Sequence, residues 1–330
     1  MPRSYGLLVL CILALAVLCV LGSTREAFAQ EDTIFVSVAS YRDSECSATL
    51  RNVFEQADRP DRVFVGVCEQ NSGAVEEACT GPVLPKNVRR VSIPHLEAKG
   101  PTYARYLCST LYQGEAWYMQ IDSHTRFVKG WDTKAVENAK KCPSKKPILT
   151  HYPRRMEELG GDHKGVPRLC KSKFDHQGVV TFEAVIMDPP KDGVPAPVPF
   201  VSGGFVFMPG SAVREVPFDP DLPHLFQGEE ILHSARLWTA GYDFFTPLEN
   251  IVYHQYERKD KPKFWKDVTE FHAAQADTLR KVRTLLGLQH PPLAGYRYGM
   301  GDKRTLEEYW KFAGVDVEKK TAASQARFCV

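Results

Sequence analysis

The residues with the clearest chemical potential follow the apolar stretch that begins at Trp117. Asp122 ends this stretch, and His124 lies two residues further on. If the chain stays extended, both side chains project to the same side. A carboxylate oxygen and a neutral imidazole nitrogen suit Mn²⁺, with Mg²⁺ as the alternative, better than they suit a metal that prefers thiolates. We therefore predict a site for a metal and a diphosphate. The alternative is a surface Asp and a capping His after an ordinary strand.

A similar pattern, Asp219-Pro220-Asp221, competes with this interpretation. Such a tripeptide occurs by chance about once or twice in a chain of this length, so the spacing alone is weak evidence. The second copy follows Pro217-Phe218 and contains a proline, which is typical of a turn and not of the end of a strand. The position in the predicted sheet therefore favours Asp122.

The composition is that of a globular protein. The chain has 330 residues, of which 43% are hydrophobic and 25% charged, and this length allows one large domain or two ordinary ones. The net charge of +2 disfavours a nucleic-acid-binding protein that relies on a basic face. The nine cysteines form no Cys-x-x-Cys pair, which disfavours a zinc ribbon or a thioredoxin motif. Seven of them lie beyond the N-terminal apolar run, so at least one of these must stay unpaired.

Residues 1–30 are expected to be a targeting segment. Arg3 precedes an apolar run over 6–22, and Ala27-Phe28-Ala29 is typical of a signal-peptidase cleavage site. Two interpretations remain open, a cleaved secretory signal and an uncleaved signal anchor. For an anchor, Arg3 favours a cytosolic N-terminus, and this is the interpretation we prefer. In both cases we expect the rest of the chain to be translocated.

The first half of the remaining chain alternates between predicted strands and helices. Apolar strands are expected at 33–40, 62–68, 88–93 and 116–121, with a helix over 46–57. A further helix opens at Gly100-Pro101; Tyr103, Tyr106, Leu107 and Leu111 form its apolar stripe, and Arg105 lies off that stripe. This alternation predicts an α/β fold with a parallel sheet and right-handed crossovers. Ligands of such sheets bind outside the carboxyl ends of the strands, where Asp122 lies.

The second half is less regular. Residues 151–178 are polar and basic, and we expect a solvated loop there. Gly203 and Gly204 separate two apolar pieces; they either let a ligand approach the backbone or form a bulge. Glu229 and Glu230 precede a helix that ends at Gly241. An apolar run over 251–253 ends in His254, and a helix is predicted over 262–286.

Several of these segments together resemble one enzyme family. They are 34–43 (IFVSVASYRD), 63–68 (VFVGVC), 100–106 (GPTYARY), 118–127 (YMQIDSHTRF), 202–205 (SGGF) and 226–230 (FQGEE). They resemble the glycosyltransferases of family 60, the polypeptide α-N-acetylglucosaminyltransferases that modify hydroxyproline or threonine. The order of the motifs is also similar to that of the more distant polypeptide N-acetylgalactosaminyltransferases. The resemblance extends over about 33–256, most of the chain beyond the targeting segment.

The resemblance implies a GT-A fold, in which a Rossmann-like, mostly parallel sheet flanked by helices adjoins a mixed acceptor-binding half. It would occupy residues 31–285, after a signal anchor or signal peptide at 1–30 and before a C-terminal tail at 286–330 that packs on or extends the domain. Mn²⁺ is the implied metal, held by Asp122, His124 and His254, and UDP-GlcNAc is the implied donor. Taken alone, His254 would more often be a capping or core histidine.

The resemblance also assigns roles around the metal. Ser40, Tyr41 and Arg42 would lie by the nucleotide, and Asp43 would contact ribose or base, or merely cap the next helix. The remaining assignments place Arg105 at the diphosphate, Gly203 and Gly204 along the sugar and acceptor cleft, and Glu229 and Glu230 at sugar hydroxyls or the acceptor. The alternatives are a surface ion pair for Arg105 and helix-dipole stabilisation for the two glutamates.

The implied function is a metal-dependent, retaining transfer of N-acetylglucosamine to a Thr, Ser or hydroxyproline hydroxyl of a polypeptide. The N-terminal apolar segment would place the protein at a membrane, most simply as a single-pass type II protein of the Golgi; secretion after signal cleavage is the alternative. An inactive relative that binds a sugar nucleotide or glycan, and a transferase with a glycan acceptor, remain as other possibilities. A two-metal phosphoesterase is disfavoured because no second carboxylate cluster accompanies Asp122.

Overall fold

The structure, a computed structural model, describes residues 32–268, 271–289, 293, 295–322 and 328–329. The predicted targeting segment at 1–30 lies outside the described residues. Within the described part of the chain, no helix combines the length and the apolar character that a membrane span requires.

Strands and helices alternate through the first half of the chain, as predicted. They are β1 (Ile34–Tyr41), α1 (Cys46–Gln56), β2 (Val63–Asn71), β3 (Val88–Pro94), α2 (Pro101–Ser109), β4 (Trp117–Asp122), β5 (Thr125–Phe127), α3 (Trp131–Lys141), β6 (Pro147–Thr150) and β7 (Arg154–Arg155).

The second half contains more antiparallel structure. Its elements are β8 (Val166–Phe174), β9 (Val180–Met187), β10 (Ala196–Val198), β11 (Phe205–Pro209), α4 (Ala212–Glu215), α5 (Glu229–Thr239), β12 (Asp243–Thr246), β13 (Val252–His254), α6 (Phe264–Asp267), α7 (Phe271–Leu285), α8 (Leu306–Ala313), β14 (Val315–Asp316) and β15 (Thr321–Ala322).

An eight-stranded sheet in the order β10-β12-β6-β11-β4-β1-β2-β3 forms the centre of the molecule. Strands β4, β1, β2 and β3 are parallel, as are β6 and β12, whereas β11 runs antiparallel to both of its neighbours. Alternate side chains of a strand face opposite sides of a sheet, so Phe35 and Tyr118 enter one apolar core while Val36 and Met119 enter the other. The predicted α/β fold with a mostly parallel sheet is confirmed.

A second, three-stranded sheet in the order β5-β13-β7 lies at the carboxyl end of β4. Strand β13 is antiparallel to β5, with His254 opposite Thr125. It is parallel to β7, with His254 opposite Arg155. This small sheet brings a late segment of the chain next to the residues that follow β4.

The predictions for two segments are wrong. The predicted solvated loop at 151–178 instead contains β8, which pairs with β9 in an antiparallel hairpin, and its residues Val166, Leu169 and Cys170 are buried. The helix predicted over 262–286 is not continuous; α6 ends at Asp267 and α7 begins at Phe271.

The predicted apolar stripe of α2 is also wrong. Its buried residues are Thr102, Ala104, Arg105 and Cys108, whereas the aromatic residues Tyr103 and Tyr106 are only half-buried. The helix therefore turns a polar face containing Arg105 inward, which apolar periodicity cannot reveal.

Two disulfide bonds, Cys46–Cys79 and Cys170–Cys329, connect distant parts of the chain. Among the described cysteines, Cys68, Cys108 and Cys142 carry free, buried thiols. Helix α8 begins with a capping box and packs on α5, where the rings of Trp238 and Tyr309 lie 5.7 Å apart. The domain boundary at residue 285 stays a prediction.

Candidate active site

The side chains of Asp122, His124 and His254 converge at the carboxyl end of the central sheet. Each offers one ligand atom, and these atoms lie within 4.8 Å of one another. Within the described ranges, no other group of three or more His, Cys, Asp or Glu side chains has such spacing. The three residues named from the sequence as metal ligands therefore lie together.

Strand pairing brings His254 to the other two residues. Asp122 is the last residue of β4, and His124 precedes β5 directly. Because β13 pairs with β5, its last residue lies beside the chain that leaves β4, and the N–H of Gln255 donates a hydrogen bond to the carbonyl oxygen of His124 at 3.1 Å. The rings of His124 and His254 lie 4.5 Å apart.

The electrostatics of Asp122 favour the ionised form. Burial alone would raise the pKa of this carboxyl, but the hydrogen bond with His254 and the nearby charges of His254, His124 and Arg105 outweigh burial and hold the pKa below its usual range. Nε2 of His254 lies 3.0 Å from Oδ2 of Asp122. One carboxylate and two imidazoles form a donor set that suits Mn²⁺, so the residues present fit the implied metal.

Arg105 lies beneath the metal candidates and not on the surface, since only 6% of it is exposed. Its guanidinium forms an ion pair with Glu229, donates to the carbonyl oxygen of Gly203 at 2.9 Å, and lies 3.6 Å from Asp122. Burial would lower the pKa of Arg105, but the charges of Glu229 and Asp122 raise it. The alternative of a surface ion pair is thereby excluded by the burial of Arg105, while its catalytic role stays a prediction.

Glu230 connects three elements through its carboxyl group. It accepts hydrogen bonds from the hydroxyl of Tyr152 at 2.7 Å and from the N–H of Gly203 at 2.6 Å. Burial outweighs these hydrogen bonds and raises the pKa of Glu230 to about 7. Burial likewise raises the pKa of Glu229, against the opposing charge of Arg105.

The two glycines allow the backbone to approach these charged groups closely. A Cβ at position 203 would lie 3.2 Å from Nη2 of Arg105, and one at position 204 would lie 3.6 Å from Oδ2 of Asp122. A side chain at either position would occupy space beside the site. Close approach therefore accounts for Gly203, whereas a Cβ at position 204 would make only ordinary van der Waals contacts.

An open cleft with two adjoining lobes contains the site. The first lobe, of about 230 Å³, is lined by Tyr41, Gln70, His124 and Arg258 among others. The second, of about 540 Å³, contains both glycines and both glutamates. Six residues line both lobes: Pro101, Arg105, Asp122, Phe226, His254 and Tyr256. Asp122 and His254 thus lie where the two lobes meet, and His124 lines the first lobe beside them.

The residues predicted for the nucleotide are only partly on this cleft. Tyr41 lines the first lobe, but Ser40 is fully buried. Arg42 forms ion pairs with Glu77 and Asp267, and neither Arg42 nor Ser40 is among the lining residues. Their predicted nucleotide contacts stay predictions.

Asp43 has a different environment from the one expected. Its carboxylate is fully buried and lies 2.7 Å from Nδ1 of His124, and its other oxygen accepts the N–H of Glu45 at the start of α1. Burial alone would raise the pKa of Asp43, but the hydrogen bond with His124 outweighs it and lowers the pKa. Asp43 thus bonds the residue that precedes α1, and its carboxylate faces a candidate metal ligand.

Sequence reasoning missed Arg258, which lines the first lobe four residues after His254. Its Nη2 lies 3.3 Å from Oδ2 of Asp43. Its Nε and Nη2 are buried and donate no hydrogen bond to any described residue. A cation with unused donors on the wall of the cleft is an anion-binding feature; its position in a polar loop offered no periodic signal.

The competing Asp219 lies apart from this site. It is 1% exposed, accepts a hydrogen bond from the hydroxyl of Tyr296 at 2.7 Å, and also accepts the N–H of Asp221. These contacts stabilise the turn that precedes α5. The predicted turn at 219–221 is confirmed.

A family model described as glycosyltransferase (GlcNAc) matches residues 33–84 and 76–319. The chain belongs to this family. The match covers most of the chain and includes every candidate site residue, so the expected glycosyltransferase membership is confirmed at the level of the family. No curated protein sequence matches the chain significantly.

One solved structure supports the fold. The crystal structure of GalNAc-T7 with UDP, GalNAc and Mn²⁺ is similar with a TM-score of 0.51 and 13% identity, over 85% of this chain and 54% of that one. The chain thus spans about half the length of that structure. TarS of S. aureus in complex with UDP-GlcNAc has a TM-score of 0.44 and 11% identity, over 77% of this chain and 66% of that one. The GT-A fold expected from the resemblance is confirmed.

Proposed function

We propose that the protein is a metal-dependent glycosyltransferase that moves N-acetylglucosamine from UDP-GlcNAc to a hydroxyl group of a polypeptide. The observation that carries this proposal is the convergence of Asp122, His124 and His254 on one cleft with two lobes. Membership of the GlcNAc family supports the donor sugar. The presence of UDP, GalNAc and Mn²⁺ in GalNAc-T7, which shares the fold, supports a sugar nucleotide and a manganese ion.

In this proposal the first lobe takes the nucleotide. Asp122, His124 and His254 would hold Mn²⁺, which when bound stabilises negative charge on a leaving diphosphate. Arg258 lines the same lobe, where its positive charge would stabilise the diphosphate. Tyr41 is one of the residues that form the wall of this lobe.

The second lobe takes the sugar and the acceptor. Glu229 and Glu230 lie at its floor, where carboxyl oxygens can accept hydrogen bonds from sugar hydroxyls. Arg105 offsets the charge of Glu229 and keeps it from repelling Asp122. The backbone at Gly203 and Gly204 leaves room for a hexose beside Asp122.

We further infer that the transfer retains the anomeric configuration. The acceptor oxygen forms a bond to the anomeric carbon as the bond to the β-phosphate oxygen breaks, and that phosphate oxygen takes the acceptor proton. The resemblance to family 60 supports this course. It is also supported by the engagement of the nearby carboxyl groups, since Glu229 is paired with Arg105 and Glu230 accepts the hydroxyl of Tyr152.

The proposed location is the secretory pathway, as a Golgi type II membrane protein held by its N-terminal segment, with secretion after cleavage as the alternative. The apolar run at 6–22 supports translocation. The Cys46–Cys79 and Cys170–Cys329 disulfides support an oxidising compartment. Such a compartment favours Thr or Ser of secretory proteins as the acceptor, and hydroxyproline is the alternative residue.

Release of UDP from UDP-GlcNAc, measured with and without acceptor, tests the proposal. The acceptors are a Thr peptide, a hydroxyproline peptide and a glycan without peptide, each with Mn²⁺ present. We expect release that depends on a peptide, and loss of at least a hundredfold in Asp122→Ala. Asp219→Asn, a carboxylate change outside the cleft, is the matched control and should retain turnover per folded molecule.

Other outcomes of this experiment are equally informative. Release only with the glycan would replace the polypeptide acceptor. Tight UDP binding without any release would identify a sugar-nucleotide-binding protein and overturn the enzymatic proposal. Normal turnover in folded Asp122→Ala would remove the metal assignment.

A further inference from the structure

The carboxylate of Asp43 lies directly behind a candidate metal ligand. Its Oδ2 lies 2.7 Å from Nδ1 of His124 and accepts the hydroxyl of Ser123 at 2.6 Å. Its Oδ1 accepts the N–H of Glu45 at 3.1 Å. The guanidinium of Arg258 is 3.3 Å from Oδ2. Three hydrogen-bonding partners and one guanidinium thus surround the two oxygens, and this arrangement favours the ionised carboxylate.

The sheet explains why these two residues meet. Strands β1 and β4 are parallel neighbours, with Ala39 opposite Asp122. Asp43 follows the end of β1, and His124 follows the end of β4, so both emerge at the same edge of the sheet. The start of α1 then fixes the orientation of Asp43, because Oδ1 holds the N–H of Glu45 and Oδ2 is left to face His124.

The contact decides which nitrogen of His124 carries the proton. A carboxylate only accepts hydrogen bonds, so Nδ1 of His124 must be the donor. In a neutral imidazole the lone pair then lies on Nε2. Nε2 is therefore the nitrogen available to a cation. A metal-binding histidine typically donates its other N–H to a carboxylate or carbonyl, which fixes its tautomer and increases its basicity.

We propose that Asp43 is a positioning residue that keeps His124 in the Nδ1–H tautomer, with Nε2 presented to the metal. The inference rests on the proposed function, because it takes the metal site as given. It differs from the sequence-based expectation for Asp43, in which the carboxylate touches ribose or base. Asp43 acts here through His124 and does not itself contact the donor.

The first test reads the tautomer directly in metal-free wild-type protein. The protein is labelled with ¹⁵N on histidine and studied by long-range ¹H–¹⁵N correlation, above the pH range in which histidine protonates. The signals of His124 are assigned by their loss in His124→Gln. We expect the Nδ1–H tautomer. The Nε2–H tautomer in the wild type would overturn the proposal, whatever the variants do.

The second test measures Mn²⁺ binding by calorimetry in the presence of UDP. In Asp43→Asn one oxygen becomes an NH₂ group, which opposes either the N–H of Glu45 or Nδ1–H of His124. We expect Mn²⁺ affinity about 10–100-fold lower than in the wild type, the range observed when the partner of a metal-binding histidine is lost. Equal affinity in the two proteins would contradict the proposal.

A matched control separates positioning from general destabilisation. Asp132 is another buried carboxylate, and it accepts the N–H groups of Asp58 and Arg59 far from the cleft. Asp132→Asn should lose stability but keep wild-type Mn²⁺ affinity when folded. An equal loss of affinity in Asp132→Asn would mean that the effect of Asp43→Asn is merely structural.

The two proposals can fail separately. Wild-type protein that binds Mn²⁺ and releases UDP but shows the Nε2–H tautomer retains the proposed function and contradicts the role of Asp43. Wild-type protein with the Nδ1–H tautomer that neither binds Mn²⁺ nor releases UDP contradicts the proposed function, and with it the purpose assigned to Asp43.

Discussion

At the scale of single residues, the burial of Arg105 changes what its removal should do. A position off the predicted apolar stripe would make Arg105 a surface residue, whose substitution costs little stability. The structure instead places it against Glu229 and Asp122 beneath the cleft. Removal of one partner from a buried ion pair leaves an uncompensated charge, which typically costs about 3–5 kcal/mol.

We therefore expect Arg105→Ala to lower the free energy of unfolding by about 3 kcal/mol, as well as lowering turnover. Addition of Glu229→Gln to that variant should restore part of the stability, because the buried negative charge is then removed. Urea unfolding of the two single variants and the double variant measures both effects. A single variant within about 0.5 kcal/mol of the wild type would show that Arg105 contributes nothing to the fold.

Glu230 should make stability depend on pH. Its folded pKa of about 7 lies above the unfolded value of about 4.3, so the folded state binds the proton more tightly. The stability from this carboxyl is fully present below the unfolded pKa and is lost as pH rises through about 7.

The side chain of Glu230→Gln stays neutral at every pH, so this variant should not lose that stability as pH rises. The stability of the variant relative to the wild type should rise between about pH 4.5 and 7, with a slope of at most about 1.4 kcal/mol per pH unit. Denaturant unfolding of both proteins at several pH values measures this difference. A difference that is constant across the range would show that Glu230 is ionised throughout.

At the scale of elements, the pairing of β13 with β5 determines whether His254 reaches the site. Since this pairing depends on backbone hydrogen bonds and on the buried Val252, it should survive loss of the imidazole. His254→Ala should bind Mn²⁺ with UDP at least tenfold more weakly, while its melting temperature stays close to that of the wild type.

The control for this prediction is His163→Ala, since His163 is exposed and lies outside both lobes. Calorimetry with UDP and Mn²⁺ compares the three proteins. Unchanged Mn²⁺ affinity in His254→Ala would remove this residue from the ligand set.

The elements also show what the sequence could and could not predict. Strand β4 and the residues after it were predictable, because an apolar run that ends in a polar cluster has a direct physical meaning in a parallel sheet. The position of His254 came from resemblance, since no local pattern specifies which strands of the small sheet pair. Helix α2 was misassigned because its inward face is polar, and Arg258 was missed because loops carry no periodic signal. The strand β8 was missed because its buried residues 166–170 form a short continuous run that includes Arg168, and charged residues follow it.

At the scale of the whole molecule, the Cys46–Cys79 disulfide links the start of α1, three residues after Asp43, to the loop that follows β2. Cys46 is the first residue of α1, and its N–H bonds the carbonyl oxygen of Asp43 at 3.2 Å. The bond closes a loop with a sequence separation of 33. Chain-entropy arguments assign such a loop about 3–4 kcal/mol of stability.

The variant Cys46→Ser/Cys79→Ser should therefore lose about 3–4 kcal/mol in urea unfolding. Cys142→Ser, which replaces a buried free thiol, is the comparison and should lose less. If both variants lose the same amount, burial of the cysteine side chains and not the covalent bond would account for the stability.

Asp122 and His254 are separated by 132 residues, so they are synthesised at different times. A ribosome that adds roughly 5–20 residues per second needs on the order of ten seconds to pass from the first of these codons to the second. A nascent chain in that interval already contains the whole of β4 and both earlier ligands, yet lacks the strand that completes the cluster. Partial translation products, and chains cut anywhere before β13, should therefore lack a complete site for a metal and a sugar nucleotide.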